Sequence, residues 1–277
     1  MMDYASLLKK GREDLKEADI RDADTDAYLL LSHISGKDRT FMYAHGDTEV
    51  PEHIMDMYMQ MIGKRMAHIP LQHITGTQEF MGKEFIVNAD VLIPRQDTEL
   101  IVEEMMTVVQ DGDSVLDMCT GSGCILLSLM SYKNNIRGTG ADISADALRV
   151  AEANARRLAQ DAVFIRSDMF GSIDGRFDYI VSNPPYIKSR DIEGLDEEVK
   201  TYEPRQALDG DTDGLKFYRI LCEEAAGHLN KNGMLFMETG FDEGSEVCDM
   251  FRSAGYTDVK LKNDYSGNER AVICSIN

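Results

Sequence analysis

The sequence predicts an α/β fold: a mainly parallel sheet with helices on both faces, preceded by a small all-helical N-terminal region and a β-hairpin connector. Three observations carry this expectation. From Asp113 onward, short apolar runs alternate with stretches of helical period, the pattern of strand–helix–strand units that assemble a parallel sheet. From Asp3 to about Met66, apolar residues recur at three- and four-residue spacing instead. The 277 residues, 43% of them hydrophobic, suffice for one large or two ordinary domains with a sizeable core.

In chain order, Tyr4, Leu7, Leu8, Gly11 and Leu15 share the first helical face. Ala27, Leu30, Leu31 and Ile34 mark a second helix that stops at Gly36. Pro51 suits the first turn of a third long helix, followed by Ile54, Tyr58, Met61, Ile62 and Arg65. Met55, Met57, Met59, Met61 and Met66 read as core filling, with an adaptable contact surface as the alternative. Pro70 ends the helical region. Gln72 to Val87, rich in Ile, Phe, Thr and Val, reads as a hairpin with turns at Gly76 and at Met81-Gly82-Lys83. Val91 to Glu99 is extended and turns into a helix, with Asp97 or Thr98 as N-cap and Leu100, Ile101, Met105 and Val108 as its inner face. Seven strand candidates follow: Ser114–Met118, Arg137–Ala141, Val163–Arg166, Phe177–Val181, Met234–Glu238, Asp258–Leu261 and Ala271–Cys274. Helical stretches lie between most of them, notably Ala145–Ala159 and Leu215–His228. In such a sheet, ligands bind at the carboxyl ends of the strands.

Composition narrows the function. A net charge of −20 argues against a surface built to embrace phosphate backbones, so no direct nucleic-acid binding is expected. Cys119, Cys124, Cys222, Cys248 and Cys274 are odd in number and scattered, which fits a reduced, cytoplasmic compartment. Lys9, Lys10, Arg12, Glu13 and Asp14 interrupt any N-terminal apolar core, and no stretch approaches the length of a membrane span. Asp209-Gly210-Asp211-Thr212-Asp213-Gly214 resembles the start of a calcium loop, but the position of the bidentate glutamate is Ile220. The histidines have no metal spacing, and no metal site is expected.

Three segments at predicted strand ends carry chemistry. Asp117-Met118-Cys119-Thr120-Gly121-Ser122-Gly123 is a strand followed by a glycine-rich turn. Its glycines allow close backbone approach, yet the third glycine of a dinucleotide fingerprint would fall on Leu126 and no Walker lysine follows. An adenosyl ligand with an amino-acid tail fits such a loop; a structural strand–helix turn is the plainer alternative. Asp142 lies about twenty residues later, where an acid accepts bonds from ribose hydroxyls. The alternative there is an N-cap, a role Ser144 can fill. In Ser167-Asp168-Met169-Phe170, Asp168 can accept an adenine amino group and Met169 or Phe170 can flank the ring; loop packing is the commoner role for any one of them alone.

The segment Ile180-Val181-Ser182-Asn183-Pro184-Pro185-Tyr186-Ile187 ends a strand at a stiff corner, because each proline lacks an N–H and restricts the residue before it. The Asn183 side-chain oxygen and the Pro184 carbonyl can accept two bonds from one planar NH2 group, with Tyr186 stacked on its face. Such acceptors would aim a weakly nucleophilic nitrogen at an electrophile. The bland alternative is a Pro-Pro turn.

Taken in order, the Asp-x-x-Thr-Gly-Ser-Gly turn, Asp142, Ser-Asp-x-Phe and Asn-Pro-Pro-Tyr resemble the class I S-adenosylmethionine-dependent amino-methyltransferases. Pro70 to Gly76, Ile93-Pro94-Arg95 with Thr98-Glu99, Glu203-Pro204 with Ala207-Leu208, and Gly267 with Arg270 narrow the resemblance to the peptide chain release factor glutamine methyltransferases, over essentially the whole chain. Cys119, Met169 and Thr239 depart from that family's more usual glycine, tryptophan and histidine.

The resemblance implies a Rossmann-like class I methyltransferase domain with a seven-stranded sheet at residues 94–277, a hairpin linker at 71–93 and a helical bundle at 1–70 that docks the release factor. It implies methyl transfer from S-adenosylmethionine, leaving S-adenosylhomocysteine, to the glutamine side-chain nitrogen of the Gly-Gly-Gln motif in class I release factors. Asp117, Cys119, Thr120, Gly121, Ser122, Gly123, Asp142, Asp168, Met169 and Asn183 would hold the donor. Asn183, Pro184, Pro185 and Tyr186 would hold the substrate, with Asn183, Pro184 and Tyr186 catalytic. An adenine-N6 nucleic-acid methyltransferase and a non-catalytic translation-factor adaptor are the alternatives. The acidic balance argues against the first, and the intact glycine loop with Asp142 against the second.

Overall fold

The computed structural model describes residues 2–276. They form two compact units: the chain up to Gly76 together with Asp196–Tyr202, and Thr77–Leu195 together with Glu203 onward.

The first unit contains α1 (Tyr4–Glu17), α2 (Ala23–Ser35), α3 (Arg39–Ala44), α4 (Glu52–Met66) and α5 (Leu71–Thr75), joined by a short helix at Glu197–Tyr202. Asp3 caps α1 by accepting from the Ser6 amide at 2.7 Å. Leu7, Leu15, Leu30, Leu31, Tyr58 and Ile62 are fully buried. Gly11 makes room for Tyr58: a Cβ at that position would lie 2.0 Å from the Tyr58 hydroxyl, which donates to the Ala27 carbonyl. Met55, Met59 and Met61 pack against this core, whereas Met57 and Met66 are exposed. Pro51 is the N-cap of α4 and lies just outside the first turn. The helix α3 was not predicted; six residues with none buried leave no periodicity to read.

Pro70 does not end the helical region. It starts α5, so Gln72 to Thr75 is helical where a strand was expected. Leu71 and Ile74 pack onto the bundle, and this tertiary contact outweighs the β-propensity of Ile74-Thr75. Gly76, left-handed at φ 79°, closes the helix.

The second unit opens with a hairpin, β1 (Thr77–Phe80) and β2 (Lys83–Ile86), turned at Met81 and Gly82 with φ of 49° and 63°. Then come α6 (Glu99–Met106), β3 (Ser114–Met118), α7 (Cys124–Tyr132), β4 (Arg137–Asp142), α8 (Ala145–Arg157), β5 (Val163–Arg166), β6 (Phe177–Ser182), α9 (Lys216–His228), β7 (Leu229–Glu238), α10 (Gly244–Ser253), β8 (Thr257–Asn263) and β9 (Glu269–Ser275). Among the described residues these strands form a seven-stranded sheet in the order β5-β4-β3-β6-β7-β9-β8, parallel except for β9, which runs antiparallel to both neighbours. Alternate residues feed opposite faces. Leu116, Ile180 and Leu235 enter one apolar layer; Val115, Val181 and Phe236 enter the other. Both faces are therefore covered, as a parallel sheet requires. The strand β7 starts five residues before the expected Met234 because Leu229 already pairs with Phe177. No helix among the described residues is long and apolar enough to cross a membrane.

Candidate active site

Chain order reverses between β3 and β6: β4 and β5 add on one side of β3, β6 and β7 on the other. Ligands bind at such a switch point in open α/β sheets. The register brings the strand ends level, with Met118 beside Ala141 and Ser182, and Asp142 beside Arg166. Residues that follow these strands thus converge although they are far apart in sequence. They line a cavity of about 620 Å³.

On its wall stand Cys119, Thr120, Gly121, Ser122, Asp142, Asp168, Met169, Asn183 and Pro185, all predicted. Four other predicted residues stand behind it. Asp117 is fully buried, and its Oδ2 accepts from the Thr120 hydroxyl at 2.7 Å, so it braces the turn and does not face the cavity. Gly123 is the left-handed N-cap of α7 at φ 78°. Pro184 and Tyr186 are also off the wall, and the Tyr186 hydroxyl donates to Glu238 Oε1 at 3.2 Å. Of the two residues proposed to flank a ring, Met169 lines the cavity, while Phe170 stacks on His228 with centroids 4.8 Å apart.

The turn after β3 is built to leave room. Gly121 has φ 54°, and a Cβ there would meet nothing within 4 Å, so its backbone borders open space. Its amide donates to Asp142 Oδ2 at 2.9 Å, and the Ser144 amide donates to Oδ1 at 2.9 Å. Ser144 itself caps α8 by accepting from the Ala147 amide. Asp142 is therefore free of the capping role and is held at the cavity by the very turn it faces. Burial raises its pKa against the pull of these amides. Burial likewise pushes Asp117 up to about 7. Cys119 sits at φ 62°, in the left-handed region that favours glycine, and its Sγ lies 4.0 Å from Met169 Sδ. The residues present fit S-adenosylmethionine: an open glycine backbone, an acid for ribose hydroxyls and an apolar sulfur-rich wall.

The corner after β6 is stapled from below. Ile187 donates to the Leu208 carbonyl at 2.9 Å, and Gly210 donates to the Ile187 carbonyl at 2.8 Å. A side chain at Gly210 would meet the Tyr186 backbone at 2.7 Å. Asp209 accepts from the Ser189 hydroxyl at 2.6 Å. The acidic loop that resembled a calcium site thus braces the Asn-Pro-Pro-Tyr segment.

Several functional partners escaped the sequence reading. Of Asp97 and Thr98, the two expected N-cap residues, Thr98 holds the N-cap position of α6 but makes no capping bond; its hydroxyl donates to Glu238 Oε2 at 2.6 Å. The Asn183 Nδ2 lies 3.4 Å from Thr98 Oγ1. Arg95, on the cavity wall, donates to the buried Glu203 at 2.6 Å. Asn154 of α8 donates to the Ser122 carbonyl and to the Ile86 carbonyl, joining the turn to the hairpin. The available signal was a polar residue inside an apolar pattern: Glu238 ends the run Met234-Leu235-Phe236-Met237.

Residues 6–76 match the PrmC N-terminal domain, and residues 95–198 match the methyltransferase small domain. A release factor glutamine methyltransferase of Geobacter sulfurreducens is 39% identical over 96% of this chain and 94% of its own. That of Agrobacterium fabrum is 37% identical over 95% and 93%. In fold, the chain is similar to a methyltransferase from Pyrococcus furiosus, with a TM-score of 0.52 and 21% identity over 69% of this chain and 87% of that one.

Proposed function

The chain belongs to the release factor glutamine methyltransferases, and from that premise we propose how its residues share the work. It transfers a methyl group to the side-chain nitrogen of a release factor glutamine, and its methyl donor is S-adenosylmethionine. When bound, that donor supplies an electrophilic methyl on a sulfonium that carries its own leaving group.

The remaining task is positioning. In this reading Asp142 and the turn Cys119 to Ser122 hold the donor, with Asp168 and Met169 at its adenine. Asn183 Oδ1 accepts from the glutamine NH2 and aims the nitrogen. Pro184, Pro185 and Tyr186 keep Asn183 in place: the prolines stiffen the corner and the Tyr186 hydroxyl anchors it to Glu238. The helical residues 1–70 dock a class I release factor at its Gly-Gly-Gln motif, joined to residues 94–277 through the linker 71–93. A reduced cytoplasmic setting is part of the reading, supported by five free cysteines. The observation that carries it is that Asn183 and the Gly121 turn share one cavity at the switch point of the sheet.

The test is methylation of purified release factor, read by mass, against a Gly-Gly-Gln→Gly-Gly-Ala control and against DNA and RNA. A methyl group that appears on the wild-type factor alone is the expected result. Methylation of the control factor or of nucleic acid would overturn the assignment.

A further inference from the structure

Behind Asn183 a chain of side-chain hydrogen bonds runs from Thr98, on the cavity wall, to Glu238 and Tyr186. Glu238, at the end of β7, is 2% exposed. Its Oε2 accepts from Thr98 at 2.6 Å and its Oε1 from Tyr186 at 3.2 Å. The first distance falls in the range of a hydroxyl bonded to a charged carboxylate. Thr98 has one proton, already directed at Glu238, so toward Asn183 it can only accept. Asn183 must then turn Nδ2 to Thr98. Oδ1 is the amide atom left to accept from a ligand.

We propose that Glu238, acting through Thr98, is a positioning relay that sets the polarity of the Asn183 amide, so that Oδ1 and not Nδ2 meets the NH2 of the substrate glutamine. The relay deepens the reading of Asn183 as substrate acceptor and rests on it. Burial raises the pKa of Glu238, and besides the Thr98 bond three groups bear on its charge. Arg270, from β9, favours the ionised Glu238 and is held by Asp264 at 3.1 Å and Asp97 at 3.2 Å. Asp97 opposes it, and the Tyr186 hydroxyl faces it directly. A proton on Glu238 would reverse the bonds in turn: Glu238 would donate to Thr98, Thr98 to Asn183, and the amide would present a donor to a donor.

The experiment compares wild type, Thr98→Val, Thr98→Ser and Asn183→Ala for single-turnover methylation, release-factor KM, donor Kd and thermal stability. Thr98→Val keeps the shape and removes both bonds. It is expected to lose roughly 10- to 100-fold in rate while KM and donor Kd stay within about threefold, and Thr98→Ser is expected to recover most of the loss. A merely structural Thr98 would move stability and donor binding together and leave the rate of folded enzyme intact. Thr98→Val at wild-type rate beside a crippled Asn183→Ala overturns the relay alone; a near-normal Asn183→Ala overturns the substrate assignment as well. Should Thr98→Val fail to fold, Asn183→Asp decides. It sets an acceptor against an accepting Thr98, so its activity should be low at pH 8 and rise as the introduced carboxyl takes a proton; a wild-type pH profile would sink the idea.

Discussion

In the proposed mechanism Asn183 acts through one atom, and a single truncation isolates it. Asn183→Ala is expected to lower kcat by roughly 10²- to 10³-fold, the usual loss when one preorganised hydrogen-bonding group at a reacting centre is removed. Donor Kd, measured by calorimetry, should change by only a few-fold because the Gly121 turn and Asp142 remain. Cys119 poses a different residue-scale question. At φ 62° it holds a conformation that costs an L-residue about 1–2 kcal/mol and that glycine adopts freely. Cys119→Gly relieves the strain but loosens the unfolded chain and gives up the contact with Met169. The expected net is a gain of up to about 1 kcal/mol, read as a rise of a few degrees in Tm. A fall in Tm would mean the thiol's packing outweighs the strain.

At the scale of elements, buried polar clips decide which segments belong together. Arg65, on α4, is 4% exposed; its Nε donates to Asp26 of α2 at 2.7 Å and its Nη2 to Glu198 at 2.5 Å. Tyr202 donates to the Ala67 carbonyl at 2.7 Å. These bonds gather the helix Glu197–Tyr202 into the helical unit, more than a hundred residues after α5. Burial already raises the pKa of Asp26 against the pull of Arg65. Arg65→Ala would leave that carboxylate buried and unpaired, and the expected cost is about 3–5 kcal/mol. Denaturant unfolding measures it, and amide exchange should show the Glu197–Tyr202 helix losing protection first. A cost under about 1 kcal/mol would mean that the pair contributes no more than a surface bridge.

For the whole molecule, pH acts through carboxyls held in two opposite ways. Burial pushes Asp117 and Glu243 up to about 7. Such a group is accommodated in its protonated form below its unfolded pKa near 4, and folding must oppose its ionisation as pH rises through 7. Stability is therefore lost with rising pH. Asp213, held near 2 by Arg219, acts in reverse: its contribution is present above about pH 4 and lost as pH falls toward 2. Between pH 5 and 8 the ionisation of these two buried acids increasingly opposes folding, so Tm is expected to fall across that range, by the equivalent of roughly a few kcal/mol. The growing self-repulsion of a chain with net charge −20 adds to it. Asp117→Asn should flatten the slope in a thermal scan. A Tm that rises from pH 5 to 8 would show these acids to be far less perturbed than their burial implies.

What the sequence by itself determined was local and repetitive: the helical period of the N-terminal region, the alternation of strand and helix, and motifs whose residues stand within a few positions of one another. Gly121, Asp142 and Asn183 were legible because each stands at or just beyond a strand end, and strand ends are written in apolar pattern and turn chemistry. Only the tertiary structure could decide what those residues lean on. Thr98, Glu238 and Tyr186 meet across 140 and 52 residues, and hydrogen bonds over such separations leave no periodicity in a chain. The same holds for α5, where packing on the bundle overrode a β-rich composition, and for Asp117, whose carboxyl resembled a ligand-holding group until burial placed it beneath the turn. Pattern reports which face of an element is apolar; it does not report which polar group waits on the element opposite, and that pairing gives the Asn183 amide its direction.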